Sequence, residues 1–110
     1  MISEYVEKKF DADAKGCWPP EAVGTLAPGV LRVLYVGGVP EMCEYLCPCG
    51  CGSPCPTYFQ TARRKRTPER HLWDFLPGPT LVPSVRHLSG CRSHYNITDG
   101  KVIMHGDSGK

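Results

Sequence analysis

Three cysteines alternate along Cys47-Pro48-Cys49-Gly50-Cys51, and this spacing constrains the fold more than any other feature of the 110-residue chain. Thiols so close together are hard to bridge to each other as disulfides, but they can readily turn towards one ion. A later segment, Cys91-Arg92-Ser93-His94, offers a thiol and an imidazole separated by two residues. We therefore expect the fold to bring these two segments together around a metal ion.

Five candidate ligands compete for the four places of a tetrahedral zinc shell. They are Cys47, Cys49, Cys51, Cys91 and His94. We expect Cys91 and His94 to bind together with two of the three clustered cysteines, although the sequence does not choose which two or three of the cluster bind. Cys55 is a weaker candidate, and Cys17 and Cys43 are most simply buried apolar residues.

A shell closed by four protein ligands leaves no position for water, so it stabilises a fold but does not catalyse. A structural zinc ion contributes on the order of 10 kcal/mol to folding. A domain of this size buries only about 60–70% of the surface that its unfolded chain exposes. We therefore predict one structural Zn²⁺ and a metal-free chain that is largely unfolded.

The seven cysteines also bear on the compartment. An odd number leaves one thiol over from any full set of disulfides, and the first ten residues lack the apolar core of a secretory signal. We expect a reducing, cytoplasmic location. No run of about 20 apolar residues is present, so we expect no membrane span. The net charge of +2 does not by itself indicate a partner.

The pattern of turns and strands predicts a mainly β domain, with a small α+β fold as the variant. Twelve glycines and eleven prolines favour many turns over long helices. Residues 30–36 are rich in valine and leucine between glycines, which is typical of a strand. Asp99-Gly100 between two extended runs predicts a C-terminal hairpin. We expect an irregular lead-in packed on the domain at 1–28, the zinc-binding domain at 29–105 and a flexible tail at 106–110.

Four motifs in a fixed order carry a family resemblance. They are Cys47-Pro48-Cys49-Gly50-Cys51-Gly52, Pro79-Thr80-Leu81-Val82-Pro83-Ser84-Val85, Gly90-Cys91-Arg92-Ser93-His94-Tyr95-Asn96-Ile97 and Asp99-Gly100-Lys101-Val102. Together they resemble the small bacterial and phage proteins of the domain-of-unknown-function 6527 family. The resemblance implies a compact β-rich metal-binding domain that accompanies a bacterial ubiquitin-like conjugation or anti-phage defence system. It favours an adaptor with a protein partner over an enzyme.

Two other functions remain open from the residues. The basic run Arg63, Arg64, Lys65 and Arg66, within segment 63–70, is typical of phosphate contacts and predicts a nucleic-acid-binding zinc domain as the first alternative. A zinc-dependent hydrolase is the second alternative, and it requires an open metal position. The string Gly106-Asp107-Ser108-Gly109 matches a serine-protease motif, but we interpret it as coincidental because 110 residues cannot hold that protease fold.

Overall fold

The computed structural model describes residues 1–61, 64, 65, 67 and 71–110, and it confirms a mainly β fold. Within these described ranges, eight strands form two four-stranded sheets. The first sheet contains β1 (Val6–Asp11), β2 (Val30–Val36), β3 (Val39–Leu46) and β4 (Pro54–Tyr58). The second contains β5 (Asp74–Leu76), β6 (Thr80–Arg86), β7 (His94–Thr98) and β8 (Lys101–Met104). The only helix among the described residues is a short 3-10 turn, Pro20–Ala22, and no helix there is long and apolar enough to cross a membrane.

The first sheet is built around the predicted strand at 30–36. Its strand order is β1-β2-β3-β4, with β1 parallel to β2 and the other pairs antiparallel. Leu31 and Val33 of β2 are fully buried, as expected for β-branched and aliphatic side chains on the inner face. Part of the segment expected to be an irregular lead-in thus forms β1, and Tyr5 just before it lies in the core.

The second sheet ends in the predicted C-terminal hairpin. β7 and β8 pair antiparallel, and the turn residues Asp99 and Gly100 have φ angles of 53° and 77°. Two positive φ angles match the twist of a two-residue hairpin, which is why Asp-Gly is favoured there. A side chain at position 100 is also excluded sterically, since its Cβ would lie 2.8 Å from the carbonyl oxygen of Tyr5.

One hydrophobic core joins the two sheets. Tyr45 of β3 and Tyr95 of β7 are both fully buried, and their hydroxyl groups lie 2.9 Å apart. Each hydroxyl therefore has the polar partner that burial requires. Leu81 and Ile97 pack in the same cluster as the β2 residues. The core fixes the β3–β4 loop and the β6–β7 loop at neighbouring positions.

β6 is irregular at its centre. Leu81 pairs with Ile97 and Val85 pairs with Tyr95, so the three residues between Leu81 and Val85 face a single residue of β7. Both Leu81 and Val85 remain buried, while Val82 and Pro83 are exposed. Such an irregularity reorients side chains relative to the regular pleat. It sets the position of Ser84, which is half-buried at the sheet surface.

Candidate functional site

The structure brings the cysteine-rich loop and the later Cys-Arg-Ser-His segment together. Sulfur atoms of Cys47, Cys49, Cys51 and Cys91 all lie within 4.8 Å of one another. The sulfur of Cys47 is 3.4 Å from that of Cys49 and 3.6 Å from that of Cys91. Zn–S bonds of about 2.3 Å would place tetrahedral sulfurs about 3.8 Å apart. The four cysteines are therefore a group that can hold a metal ion.

Local backbone geometry forms the cysteine-rich loop. The amide of Cys47 donates to the carbonyl of Ser53 at 2.8 Å and the amide of Gly50 donates to the carbonyl of Cys47 at 3.1 Å, which closes the turn. The amide of Cys51 also donates to the sulfur of Cys49 at 3.4 Å. These bonds hold Cys47, Cys49 and Cys51 within one tight turn.

The thiols of this group differ in their electrostatics. Hydrogen bonds from Ser53 lower the pKa of the exposed Cys51 thiol to about 6. Hydrogen bonding to Ser93 also lowers the pKa of Cys91, whereas burial raises the pKa of Cys47. A bound cation would supply the missing stabilisation for a buried thiolate, because a coordinating thiol loses its proton. Of these thiols, Cys47 therefore depends most on a bound cation to become a thiolate.

A neutral hydrogen-bonded chain lies behind the cysteine group. His87 Nε2 lies 3.7 Å from the sulfur of Cys55 and 3.0 Å from the hydroxyl of Tyr95. Burial raises the pKa of Cys55 to about 11 and lowers the pKa of His87, so both side chains are uncharged near neutral pH. Cys47, Cys55 and His87 also lie close enough to share an ion, but Cys47 already belongs to the four-cysteine group.

His94 lies outside the four-cysteine group and makes different contacts. Its Nε2 atom lies 3.0 Å from Oγ of Ser84, and its Nδ1 atom lies 2.8 Å from Oδ1 of Asp107. Nε2 thus faces a hydroxyl and Nδ1 faces a carboxylate, while Nη2 of Arg86 lies 3.4 Å from Nδ1. This chain of serine, histidine and aspartate matches the arrangement in which an imidazole removes a proton from a nucleophilic hydroxyl.

The C-terminal residues hold Asp107 in place. The amide of His94 donates to Oγ of Ser108 at 3.1 Å, and the amide of Gly109 donates to the carbonyl of Arg92 at 2.8 Å. Arg86 forms an ion pair with the other carboxylate oxygen of Asp107. The hydrogen bond with His94, together with the charge of Arg86, lowers the pKa of Asp107. The carboxylate therefore stays ionised, as an acceptor for the imidazole must.

A second imidazole covers the ring of His94. The His94 and His105 rings stack with centroids 3.9 Å apart and planes 9° apart. His105 Nε2 lies 2.6 Å from Oδ1 of Asn96, which anchors the outer ring to β7. His94, His105 and Asp107 also form a group whose ligand atoms lie within 4.8 Å of one another.

The predicted nucleic-acid segment is only partly described. Arg63 and Arg66 lie outside the described residues. Arg64 contacts Glu41, with 3.8 Å between the charged atoms, and its guanidinium lies 5.0 Å from the centre of the Tyr58 ring. Lys65 is exposed. These contacts do not test nucleic-acid binding, which stays a prediction.

A comparison with protein-family models gives one match, over residues 20–105. The matching model is BubE, described as bacterial ubiquitination-like system serine protease. The chain belongs to the BubE family. No curated protein and no solved structure matches it significantly. Membership links this BubE-family chain to a bacterial ubiquitination-like system, as the sequence resemblance implied. The resemblance to the domain-of-unknown-function 6527 family is itself neither supported nor refuted and stays a prediction.

The region matched by the BubE model contains the four clustered cysteines, Ser84 and His94. Asp107 lies two residues beyond it, so its assignment depends on geometry alone. Sequence reasoning did not single out Ser84, and it set Asp107 aside with the Gly-Asp-Ser-Gly string. The available signal was weak, because these residues stand alone at separations of 10 and 13 from His94.

Proposed function

We propose that this chain is a serine hydrolase of a bacterial ubiquitination-like system, and that it cleaves the acyl bond between a ubiquitin-like protein and its attached group. The observation that carries this proposal is the hydrogen-bonded chain from Ser84 through His94 to Asp107. The BubE family description, which names a serine protease, supports it independently. It replaces a pure adaptor role with catalysis, while the accessory place in the system is retained.

In the proposed reaction, each of the three residues has one role. Ser84 Oγ attacks the carbonyl carbon of the scissile bond while its proton passes to His94 Nε2. His94 then gives that proton to the leaving amine or alcohol, so that an ester to Ser84 remains. Water attacks this ester with His94 again as the base, and the released carboxylic acid restores Ser84. Asp107 accepts a hydrogen bond from Nδ1–H, which keeps Nε2 free to take the proton.

The four-cysteine group fits a structural zinc ion, held by Cys47, Cys49, Cys51 and Cys91. Four sulfur donors at these separations match a closed tetrahedral shell, and zinc is the usual ion for such a set. Bound zinc would supply cross-linking of two loops and no chemistry at the scissile bond. Cys91 lies three residues before His94, so the same cross-link fixes the start of β7.

A metal-dependent hydrolase at His94, His105 and Asp107 is the second candidate, favoured by their grouping. The stacked rings argue against it. The lone pair of an imidazole nitrogen lies in the plane of its ring, and these two planes are only 9° apart. Their lone pairs run side by side rather than converging on one ion at about 2.0–2.1 Å. A hydroxyl already occupies the approach to Nε2 of His94.

The test is cleavage of a purified conjugate of the ubiquitin-like protein from the same system, using the zinc-loaded chain. We expect the wild type to release the ubiquitin-like protein and Ser84→Ala to lose at least about 10³-fold in rate. Ser89→Ala is the matched control, because Ser89 is an exposed serine of the β6–β7 loop. Equal rates for the wild type and Ser84→Ala would overturn the proposal.

A further inference from the structure

A cavity of about 320 Å³ opens beside the proposed nucleophile, and Ser84 is part of its wall. Most of the remaining wall is apolar, from Leu72, Trp73, Pro83 and Leu88. Its polar members are His71 and Arg86. Concave, mainly apolar sites with few polar groups are the usual form of a ligand subsite. This one has the volume of one large side chain rather than of a whole folded partner.

Two sides of the cavity are fixed by hydrogen bonds. The indole Nε1–H of Trp73 donates to the carbonyl of Ser84 at 3.3 Å, so the wall and the nucleophile are tied directly. The backbone of Trp73 is held to β4, since its amide donates to the carbonyl of Tyr58 at 3.0 Å. Leu72 is 3% exposed and forms part of the packed interior. The cavity is therefore preformed, which lowers the entropic cost of filling it.

The mouth of the cavity carries an apolar side chain with little cover. Leu88 is 82% exposed, in the loop between β6 and β7. That loop is closed by the amide of His87, which donates to the carbonyl of Ser93 at 2.9 Å, and it contains Cys91 of the metal group. An occupant that covers a leucine at the rim of a cavity gains about 25 cal/mol of binding free energy for each Å² of apolar surface that leaves water.

The charges around the cavity exclude charged occupants. Among the described residues, none that lines it is acidic, so nothing there would pair with a lysine or arginine side chain. Of the lining residues that the structure describes, Arg86 is the one with a permanent charge, and its guanidinium is already paired with Asp107. An acidic occupant would have to compete with that ion pair. An uncharged apolar side chain meets neither cost.

We propose that this cavity binds a large apolar side chain on the substrate residue that supplies the scissile carbonyl. The inference rests on the proposed function, because Ser84 Oγ must be the atom that attacks that carbonyl. In the ester to Ser84, the carbonyl carbon bonded to Oγ belongs to the substrate residue whose side chain lies nearest the cavity. Leu72, Trp73 and Leu88 determine specificity, and the preferred substrate carries an aromatic or long aliphatic residue at this position.

The test uses peptidyl diphenyl phosphonates, which carry one chosen side chain and form a covalent bond to a reactive serine. The set is phenylalanine, leucine, glycine, lysine and aspartate, with a small alkyl fluorophosphonate as the probe that does not use the cavity. We expect phenylalanine and leucine to react at least about tenfold faster than the other three, as apolar contacts in a pocket typically discriminate. Mass spectrometry locates the adduct at Ser84.

Leu88→Asp places a carboxylate at the mouth of the cavity. We expect the ratio of the phenylalanine rate to the lysine rate to fall by about tenfold or more. Leu76→Asp is the matched control, because Leu76 is an exposed leucine on β5 that does not line the cavity; its ratio should equal the wild type. Fluorophosphonate labelling of Ser84 without side-chain preference would overturn the inference and leave the proposed function standing. No adduct at Ser84 with any probe would overturn both.

Discussion

At the residue scale, the carboxylate of Asp107 fixes which nitrogen of His94 carries a proton. Its Oδ1 atom lies 2.8 Å from Nδ1, and Arg86 holds its other oxygen. With the proton on Nδ1, the lone pair of Nε2 points to Ser84, 3.0 Å away. In the proposed mechanism, the imidazole is thereby prepared as a base before any substrate binds, which is how an orienting carboxylate contributes to catalysis.

The Asp107→Asn substitution should move the proton of His94 from Nδ1 to Nε2, because an amide can donate a hydrogen bond to Nδ1. We expect the rate of fluorophosphonate labelling to fall by about 10³-fold or more with the fold intact. Stopped-flow or gel-based labelling rates, with circular dichroism as the folding control, measure this. Labelling at the wild-type rate in Asp107→Asn would remove Asp107 from the mechanism.

The lowered pKa of Asp107 also predicts a pH dependence of stability. A carboxylate whose pKa is lower in the folded than in the unfolded chain stabilises the fold above its unfolded value, near pH 4. That contribution is lost as the pH falls through the lower folded value. The melting temperatures of the wild type and Asp107→Asn should differ by a constant amount from pH 7 to about pH 5 and converge in stronger acid. A difference that grows in acid would contradict the assignment.

The stacked ring of His105 predicts a positioning role. His105→Ala removes the surface against which the His94 ring lies, and small misplacements of a catalytic group cost up to about 100-fold in rate. His105→Phe keeps a flat ring at that place without a ligand nitrogen. We expect His105→Ala to slow the labelling of Ser84 and His105→Phe to restore most of it. Equal losses in both variants would show that the nitrogen, rather than the ring, matters.

At the element scale, the hairpin of β7 and β8 carries His94 at one end and its turn at the other. Gly100 in that turn has a positive φ and lies against the carbonyl of Tyr5. We expect Gly100→Ala to destabilise the fold by about 1–3 kcal/mol, since both the φ angle and the contact are strained. Gly106→Ala, where a Cβ meets nothing within 4 Å, is the control and should change stability little. Urea unfolding of both variants measures the difference.

Elements with local signals were predictable, and elements defined by long-range contact were not. Residues 30–36 form β2 as predicted, and the Asp99-Gly100 turn forms the hairpin, because valine-rich runs and Asp-Gly turns act through neighbouring residues. The alternate cysteines likewise predicted a loop that can hold a metal ion together with Cys91, and the structure brings these sulfurs together. The pairing of β1 with β2, by contrast, depends on Tyr5 and Phe10 entering a core that the sequence does not reveal.

The Ser84–His94–Asp107 chain shows the same limit at the site. Its members come from an irregular part of β6, the first residue of β7 and the turn after β8. No spacing rule links them, because serine, histidine and aspartate arrangements are recognised by geometry and recur in different chain orders. His94 was expected in the zinc shell from its distance to Cys91 along the chain. The structure turns its ring towards Ser84 instead.

At the scale of the whole molecule, the four-cysteine group joins the two sheets at the end where the proposed active site lies. Cys47 follows β3 of the first sheet, and Cys91 precedes β7 of the second. Cys91 shares its loop with Leu88 of the cavity and lies three residues before the start of the hairpin. The four-cysteine group and the proposed active site are therefore connected through one short loop.

Removal of the metal should disrupt fold and activity together. Because bound structural zinc contributes on the order of 10 kcal/mol, we expect a chelator to abolish most β-sheet circular dichroism and all labelling of Ser84. The Cys91→Ser variant should show the same loss of circular dichroism and labelling as the zinc-free protein. Elemental analysis of this variant should show less than one zinc per chain. Cys17→Ser is the control, since Cys17 lies outside the group and is exposed, so the prediction that it is buried is wrong. An unchanged spectrum after verified metal loss would contradict this.

The site at which a fluorophosphonate modifies the zinc-loaded chain, read by intact mass and peptide mapping, tests whether Ser84 is the nucleophile. Oγ of Ser84 has the imidazole of His94 within hydrogen-bond distance, whereas Oγ of Ser108 accepts a backbone amide hydrogen. The proposed mechanism predicts one adduct per chain, on Ser84, absent in Ser84→Ala and retained in Ser108→Ala. An adduct on Ser108, or no adduct in folded, zinc-loaded protein, would contradict it.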